Sequence, residues 1–194
     1  RMWSGQLASV SGSKCLVFEP ACGSANDFRY LDACGFTRFL DYTGTDIAPK
    51  NIENARRRFP DVQFCVGDLL NNRFADNAFD YSFVHDLFEH LSIAAMERAL
   101  QELLRVTRRE VWFHFFNAAD VSHHEIRPVA KYHWNLLSIR EVLRIIAGMS
   151  SHSEVVSIAE LGQRKFGFSR YHNTGAYTII AAKETGSRAF DAAD

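Results

Sequence analysis

The sequence predicts an α/β fold in which a mostly parallel sheet carries helices on both faces. Three observations support this. Short apolar runs alternate with helix-like stretches over residues 14–116, the rhythm of a buried parallel sheet. Successive runs end at carboxylates: Glu19, Asp46 and Asp68, with Asp86 just past the fourth. The last two runs, 153–161 and 176–183, have no helix-length periodic segment between them. An antiparallel, hairpin-like pair fits them better than another crossover.

Each element has its own signal. KCLVFE (14–19) reads as a buried strand, and NDFRYLDACG (26–35) as a helix stopped by Gly35. YTGTD (42–46) is a second strand. APKNIENARRRF (48–59) sets Ile52, Ala55 and Phe59 at helical spacing, with Pro49 near the start. VQFCVGD (62–68) and FDYSFVHD (79–86) are the third and fourth strands. AAMERALQELLRV (94–106) places Met96, Leu100, Leu103 and Leu104 on one face. EVWFHFF (110–116) is the fifth strand. Residues 117–134 are polar and His-containing, and read as an irregular segment over the sheet's edge. Ser138 and Glu141 form a capping box that opens a helix through residue 149. Residues 1–185 are expected to form a single domain, and 186–194 a frayed tail.

Composition excludes several classes. The chain has 194 residues, 47% hydrophobic and 23% charged, with a net charge of −1. Nothing in that balance draws it to nucleic acid or to an anionic membrane. No apolar stretch approaches the ~20 residues of a membrane span. Cys15, Cys22, Cys34 and Cys65 form no CxxC pair. They read as free thiols in or near apolar runs, and a reducing, cytoplasmic location is expected. Arg56, Arg57 and Arg58 read as a solvated helix face. Arg105, Arg108 and Arg109 read as a cluster favouring a helix C-terminus.

Open α/β sheets bind ligands at the carboxyl ends of their strands. At the first such end the chain reads VFEPACGSAND (17–27): a carboxylate, a loop of small residues, then a helix. A dinucleotide site wants G-x-G-x-x-G, with a pyrophosphate on the helix N-terminus. ACGSAN (21–26) lacks that pattern, and Glu19 offers a diphosphate nothing. No G-x-x-x-x-G-K-[ST] phosphate loop occurs.

VFEPACGSA, YTGTDIAPKNIENARRRFPDVQFCVGDLL, FDYSFVHDLFEHLS and YHWNLLSIRE follow one another in the order and spacing of a known family. In this the chain resembles the class I S-adenosylmethionine-dependent methyltransferases, small-molecule-type members in particular, over residues 16–183. The family's first motif is an acidic residue followed by G-x-G-x-G. Its three glycine positions are Ala21, Gly23 and Ala25 here. The resemblance implies a Rossmann-like three-layer α/β/α sandwich, with seven strands and the last one antiparallel. It implies S-adenosylmethionine as cofactor and S-adenosylhomocysteine as product. That cofactor has no phosphate, and its ammonium and ribose hydroxyls suit carboxylates.

Carried over residue by residue, the resemblance puts Glu19 near the methionine ammonium. Pro20, Ala21, Cys22, Gly23 and Ala25 run under the adenosine. Asp46 takes the ribose with Ile47 beside it, Asp68 and Leu69 lie against the adenine, and His85 lies near the methyl group. His85 and Asp86 are the catalytic candidates by position. His123, His124, His133 and Trp134 are the candidates for acceptor contact, because a long irregular segment after a strand is a common place for it. No metal is expected, since no H-E-x-x-H or comparable pattern occurs. The expected partner is a small-molecule acceptor, with a partner chain or upstream segment supplying the lid. Nucleic acid is disfavoured, because His85-Asp86-Leu87-Phe88 stands where an Asn/Asp-Pro-Pro-Tyr-type motif belongs. The alternative is a catalytically inactive binding or scaffold domain.

Overall fold

The computed structural model describes residues 14–158 and 173–183. Its frame is β1 (Cys15–Pro20), α1 (Asn26–Ala33), β2 (Leu40–Asp46), α2 (Pro49–Arg58), β3 (Gln63–Val66), β4 (Phe79–Val84), α3 (Ile93–Val106), β5 (Thr107–Phe115), α4 (Ile139–Ala147), β6 (His152–Ser157) and β7 (Tyr177–Ala182). The strands make one seven-stranded sheet in the order β6-β7-β5-β4-β1-β2-β3. β1 to β5 pair in parallel. β7 inserts between β5 and β6 and runs antiparallel to both. The lack of a helix-length periodic segment in the sequence before residue 176 foretold that reversal. Residues 159–161 of the expected sixth strand and the tail 186–194 lie outside the described residues.

The period-2 alternation of strands sorts side chains between two cores. Val17 joins Phe28, Tyr42, Ile52, Ala55 and Phe64 on the α1/α2 face. Phe18 joins Val84, Met96, Leu100, Leu103, Phe113 and Ile146 on the α3/α4 face. Phe28 anchors α1 by packing its ring against Tyr42 and Phe59, at centroid distances of 4.7 and 4.8 Å. Pro49 opens α2, whose Ile52 and Ala55 are buried.

Between β3 and β4 the chain makes a 3₁₀ turn, Leu69–Asn71. Several local expectations change. α3 passes into β5 without a loop. Arg108 and Arg109 are therefore strand residues, paired with the buried Asp80 at 2.6 and 3.2 Å. The Ser138 side chain accepts from the Glu141 N–H at 3.3 Å, which is half of a capping box. The other half is replaced: His124 Nδ1 accepts the Ser138 N–H at 2.9 Å. Cys34 is exposed at the end of α1, while Cys22 is buried.

Candidate functional site

The loop after β1 has an unusual backbone. Ala21, Gly23 and Ala25 all have positive φ, at 55°, 54° and 63°. These are the three positions read above as glycine sites, and the left-handed conformation is the physical reason glycine suits them. The two alanines do not abolish the turn. Hydrogen bonds pin it to the end of β2, with Cys22 N–H donating to the Thr45 carbonyl at 3.0 Å and Gly23 N–H to Asp46 Oδ2 at 2.9 Å. Asp46 Oδ1 takes the Ala48 N–H at 2.8 Å and the Asn51 amide at 3.1 Å. One carboxylate thus holds both the small-residue loop and the start of α2. Arg58 adds a latch to the Ser24 carbonyl at 2.9 Å.

A Cβ added at Gly23 would meet nothing within 4 Å, so the space over the loop is open. Ile47 is 73% exposed beside Asp46, and an apolar side chain left that open at a strand end suits a flat ligand. Asp68 is exposed and uses Oδ1 to accept the Leu70 N–H at 2.9 Å, while Leu69 is buried.

Beneath the loop Glu19 is buried and accepts a short hydrogen bond from the Tyr42 hydroxyl. Burial pushes its carboxyl well above the usual range, against the pull of Tyr42. Its neighbour Asp27 goes the other way. Burial works to raise Asp27, but the hydrogen bond and charge of His85 outweigh it and hold the carboxyl low. His85 Nδ1 lies 2.8 Å from Asp27 Oδ2. The His85 ring stacks on His114 with centroids 3.8 Å apart and planes 14° apart. His114 Nδ1 meets Thr178 Oγ1 at 2.7 Å. Burial first, and the charge of His85 next, lower the His114 pKa to about 3, so that ring is neutral. Asp27, His85 and His114 line one part of a cavity whose other walls include Tyr30, Tyr81, Phe83 and Trp112.

A family described as "Methyltransferase domain" matches residues 18–115, half of the chain. The chain belongs to the class I S-adenosylmethionine-dependent methyltransferases. A demethylmenaquinone methyltransferase of Paenarthrobacter aurescens is 33% identical over 97 residues, which is 50% of this chain and 35% of that protein. The chain thus spans about a third of the length of this curated relative. Solved structures show the fold. A chain of the complex between the Haloferax volcanii Trm112 methyltransferase activator and a methyltransferase aligns with a TM-score of 0.67 at 18% identity, covering 94% of this chain and 90% of that one. The 1,6-didemethyltoxoflavin-N1-methyltransferase of Burkholderia thailandensis, solved with its acceptor and S-adenosylhomocysteine, aligns at 0.63 and 15% identity, covering 95% and 78%.

In this member of the family the expected site residues fall into three groups. Glu19, Pro20, Ala21, Cys22, Gly23, Ala25, Asp46 and Ile47 gather at the adjoining ends of β1 and β2, which pair throughout. Asp68 and Leu69 follow β3 next door. His85 follows β4 and is joined to the loop side by Asp27. Asp86 is exposed with a φ of 52°, a conformation Asp tolerates better than most residues.

The acceptor candidates divide. His123 and the nearly buried His124 both turn to Glu141, at 3.0 and 3.2 Å, at the start of α4. His133 offers its carbonyl to His90 Nδ1 at 3.1 Å. Trp134, 45% exposed, lies against Phe116 and His90, with centroids at 5.0 and 5.3 Å. Tyr132 completes this ring cluster, 5.6 Å from His90. Among the described residues no group of three His, Cys, Asp or Glu side chains gathers to hold a metal ion, and no helix is long and apolar enough to cross a membrane.

Sequence reasoning missed four supporting residues: Asp27, Asn51, Thr178 and Asn135. Asn135 is fully buried and donates to the Leu91 carbonyl at 2.8 Å, while its Oδ1 accepts the Arg127 N–H at 3.0 Å. Glu89, also fully buried, accepts the Phe116 and Asn117 N–H groups at 2.7 and 3.1 Å. Together they tie residues 117–137 to the segment after β4. The one sequence signal for Asn135 was an amide inside an otherwise aromatic and aliphatic run, YHWNLL (132–137).

Proposed function

We propose that the chain transfers a methyl group from S-adenosylmethionine to a small-molecule hydroxyl or amine. The observation that carries this is the loop at 21–25, left-handed at all three glycine sites and fixed by Asp46 under open space. Asp46 Oδ2 keeps an acceptor site beyond its bond to Gly23, and that site takes a ribose hydroxyl. Ile47 and Leu69 supply apolar walls for the adenine, with Asp68 at its edge. Pro20, Ala21, Cys22 and Ala25 form the floor. Glu19 and the start of α1 face the methionine end, where an ammonium beside Glu19 favours its ionised form. Bound S-adenosylmethionine supplies an activated methyl, whose C–S bond breaks with its electron pair going to sulfur as the acceptor's lone pair bonds carbon. The protein's part is alignment and proton removal. His85, at the end of β4, is the base, with Asp86 beside it.

The acceptor lies toward residues 117–137. Trp134 and Tyr132 present exposed ring surface beside Phe116 and His90, which suits stacking of a planar acceptor, and His133 stands between them in the chain. The curated relative is named for demethylmenaquinone, and a quinol has both the flat ring and the hydroxyl this site asks for. His123 and His124 act on the acceptor only indirectly, through the start of α4. A partner chain or an upstream segment closes the site. The binding-only alternative gains nothing from Ala21 and Ala25, since both hold the same left-handed backbone as Gly23.

The test is conversion of S-adenosylmethionine to S-adenosylhomocysteine with 1,4-naphthohydroquinone as acceptor, read by chromatography and product mass. Coupled formation of a singly methylated product supports the proposal. A chain that binds the cofactor yet methylates neither this acceptor nor a panel of phenols and amines contradicts it.

A further inference from the structure

We propose that Asp27 is a positioning residue that sets the tautomer and orientation of His85, making the two a proton-accepting dyad for methyl transfer. This rests on the reading of the chain as a methyltransferase that uses His85 as its base. Asp27 lies two residues past Ala25, in the first turn of α1, so it joins the cofactor loop to the end of β4. Its Oδ2 is 2.8 Å from His85 Nδ1. A carboxylate there accepts a proton, so His85 carries Nδ1–H and leaves Nε2 as the basic nitrogen. The His114 ring, stacked 3.8 Å below and tied to Thr178, fixes the plane of the imidazole. His85 and Asp27 are 38% and 40% exposed, open enough for an acceptor to reach.

The charged and titratable groups around His85 come from several elements. Asp27 faces it from α1, and His114 from β5. Asp86 is its chain neighbour. Glu19 acts from β1 through Asp27, with which it interacts directly. Burial disfavours the charged forms of Glu19 and His114. Asp27 is the carboxylate in direct contact with the ring, and it stabilises the imidazolium once formed. The step balances: the acceptor hydroxyl gives its proton to His85 Nε2, and the oxygen keeps the electron pair that attacks the methyl carbon. On an aromatic ring the same deprotonation also activates the ortho carbon. After transfer, the proton leaves from Nε2 to solvent.

The experiment is a nitrogen-15 NMR titration of the imidazoles in the unsubstituted chain and in Asp27→Asn, with Asp27→Glu as the conservative variant. The unsubstituted chain should show His85 protonated on Nδ1. Asp27→Asn, which can offer an amide N–H in place of the carboxylate, should lose the preference for the Nδ1–H tautomer, and Asp27→Glu should restore most of it. A proton on Nε2 in the unsubstituted chain, or a tautomer unchanged in Asp27→Asn, overturns the proposal. In the hydroquinone assay, Asp27→Asn and His85→Gln should each lower kcat by roughly 10- to 100-fold, and the double variant should be no worse than His85→Gln. Losses that multiply overturn the dyad. Failure of the function itself appears separately, as an unsubstituted chain that binds no S-adenosylhomocysteine.

Discussion

Replacing Ala21 by glycine is expected to stabilise the fold, although it removes a side chain. Ala21 has a φ of 55°, where an L-residue with a Cβ costs about 1–2 kcal/mol relative to its preferred conformations. Glycine avoids that strain. It also loosens the unfolded chain, which costs about 0.4–1 kcal/mol. The net gain at Ala21, which is only half-buried, is about 0.5–1 kcal/mol. Ala25 has the same backbone but is fully buried, and losing its methyl forfeits roughly 0.8 kcal/mol. Ala25→Gly should therefore be close to neutral. Gly23→Ala is the mirror experiment. Its Cβ meets nothing within 4 Å, so only backbone strain is added, and it should cost about 0.5–1 kcal/mol. Urea unfolding followed by circular dichroism measures all three, and each kcal/mol should move Tm by roughly 2–4 °C in a chain of this size. If Ala21→Gly destabilises by the half to one kcal/mol typical of glycine at an ordinary position, the left-handed turn is absent and the account of the loop is wrong.

Three other expectations follow from packing and charge. Gly44→Ala should cost about 1–3 kcal/mol by overpacking, because its Cβ would lie 2.7 Å from the buried Phe64 ring and 3.0 Å from Cys22 Sγ; unfolding at unchanged stability refutes this. Glu19 keeps its proton in the fold above the usual carboxylate pKa, so the native state holds a proton that the unfolded chain releases. Stability should then fall as pH rises above the ordinary glutamate pKa of about 4.3. Glu19→Gln, which does not titrate, should lose that slope, and parallel curves for the two proteins argue against the assignment. Asn135→Ala strands the Leu91 carbonyl and the Arg127 N–H, at a cost of about 1–3 kcal/mol. It should also speed proteolysis within residues 117–137, and an unchanged cleavage rate counts against Asn135 as the tie.

The frame was legible because it rests on local signals. Apolar runs ending in Glu19, Asp46 and Asp68 mark three strand ends, and the lack of helical periodicity in the sequence before Tyr177 marks the reversed strand. The glycine sites at 21, 23 and 25 were legible as spacing, and the backbone supplies the reason in φ. Other features depend on distant partners. Asp27 and His85 are 58 positions apart, and nothing in the first turn of α1 announces which base its carboxylate meets. Arg108 and Arg109 looked like helix-end charges because α3 runs into β5 with no turn residue between them, and Asp80 across the sheet claims both. His124 read as an acceptor contact in an irregular segment until the fold set it against the Ser138 N–H. The 3₁₀ turn at Leu69–Asn71, capped by Asp68, had no sequence signal of its own.

The central claim is that the loop, Asp46 and Ile47 form an S-adenosylmethionine site. Calorimetric titration of the folded chain with S-adenosylmethionine and S-adenosylhomocysteine tests it most directly, with Asp46→Ala beside it. The account predicts saturable micromolar binding of both, weakened by about 1–3 kcal/mol in Asp46→Ala, part of it through release of the Gly23 and Ala48 N–H groups. A folded chain that binds neither ligand contradicts it.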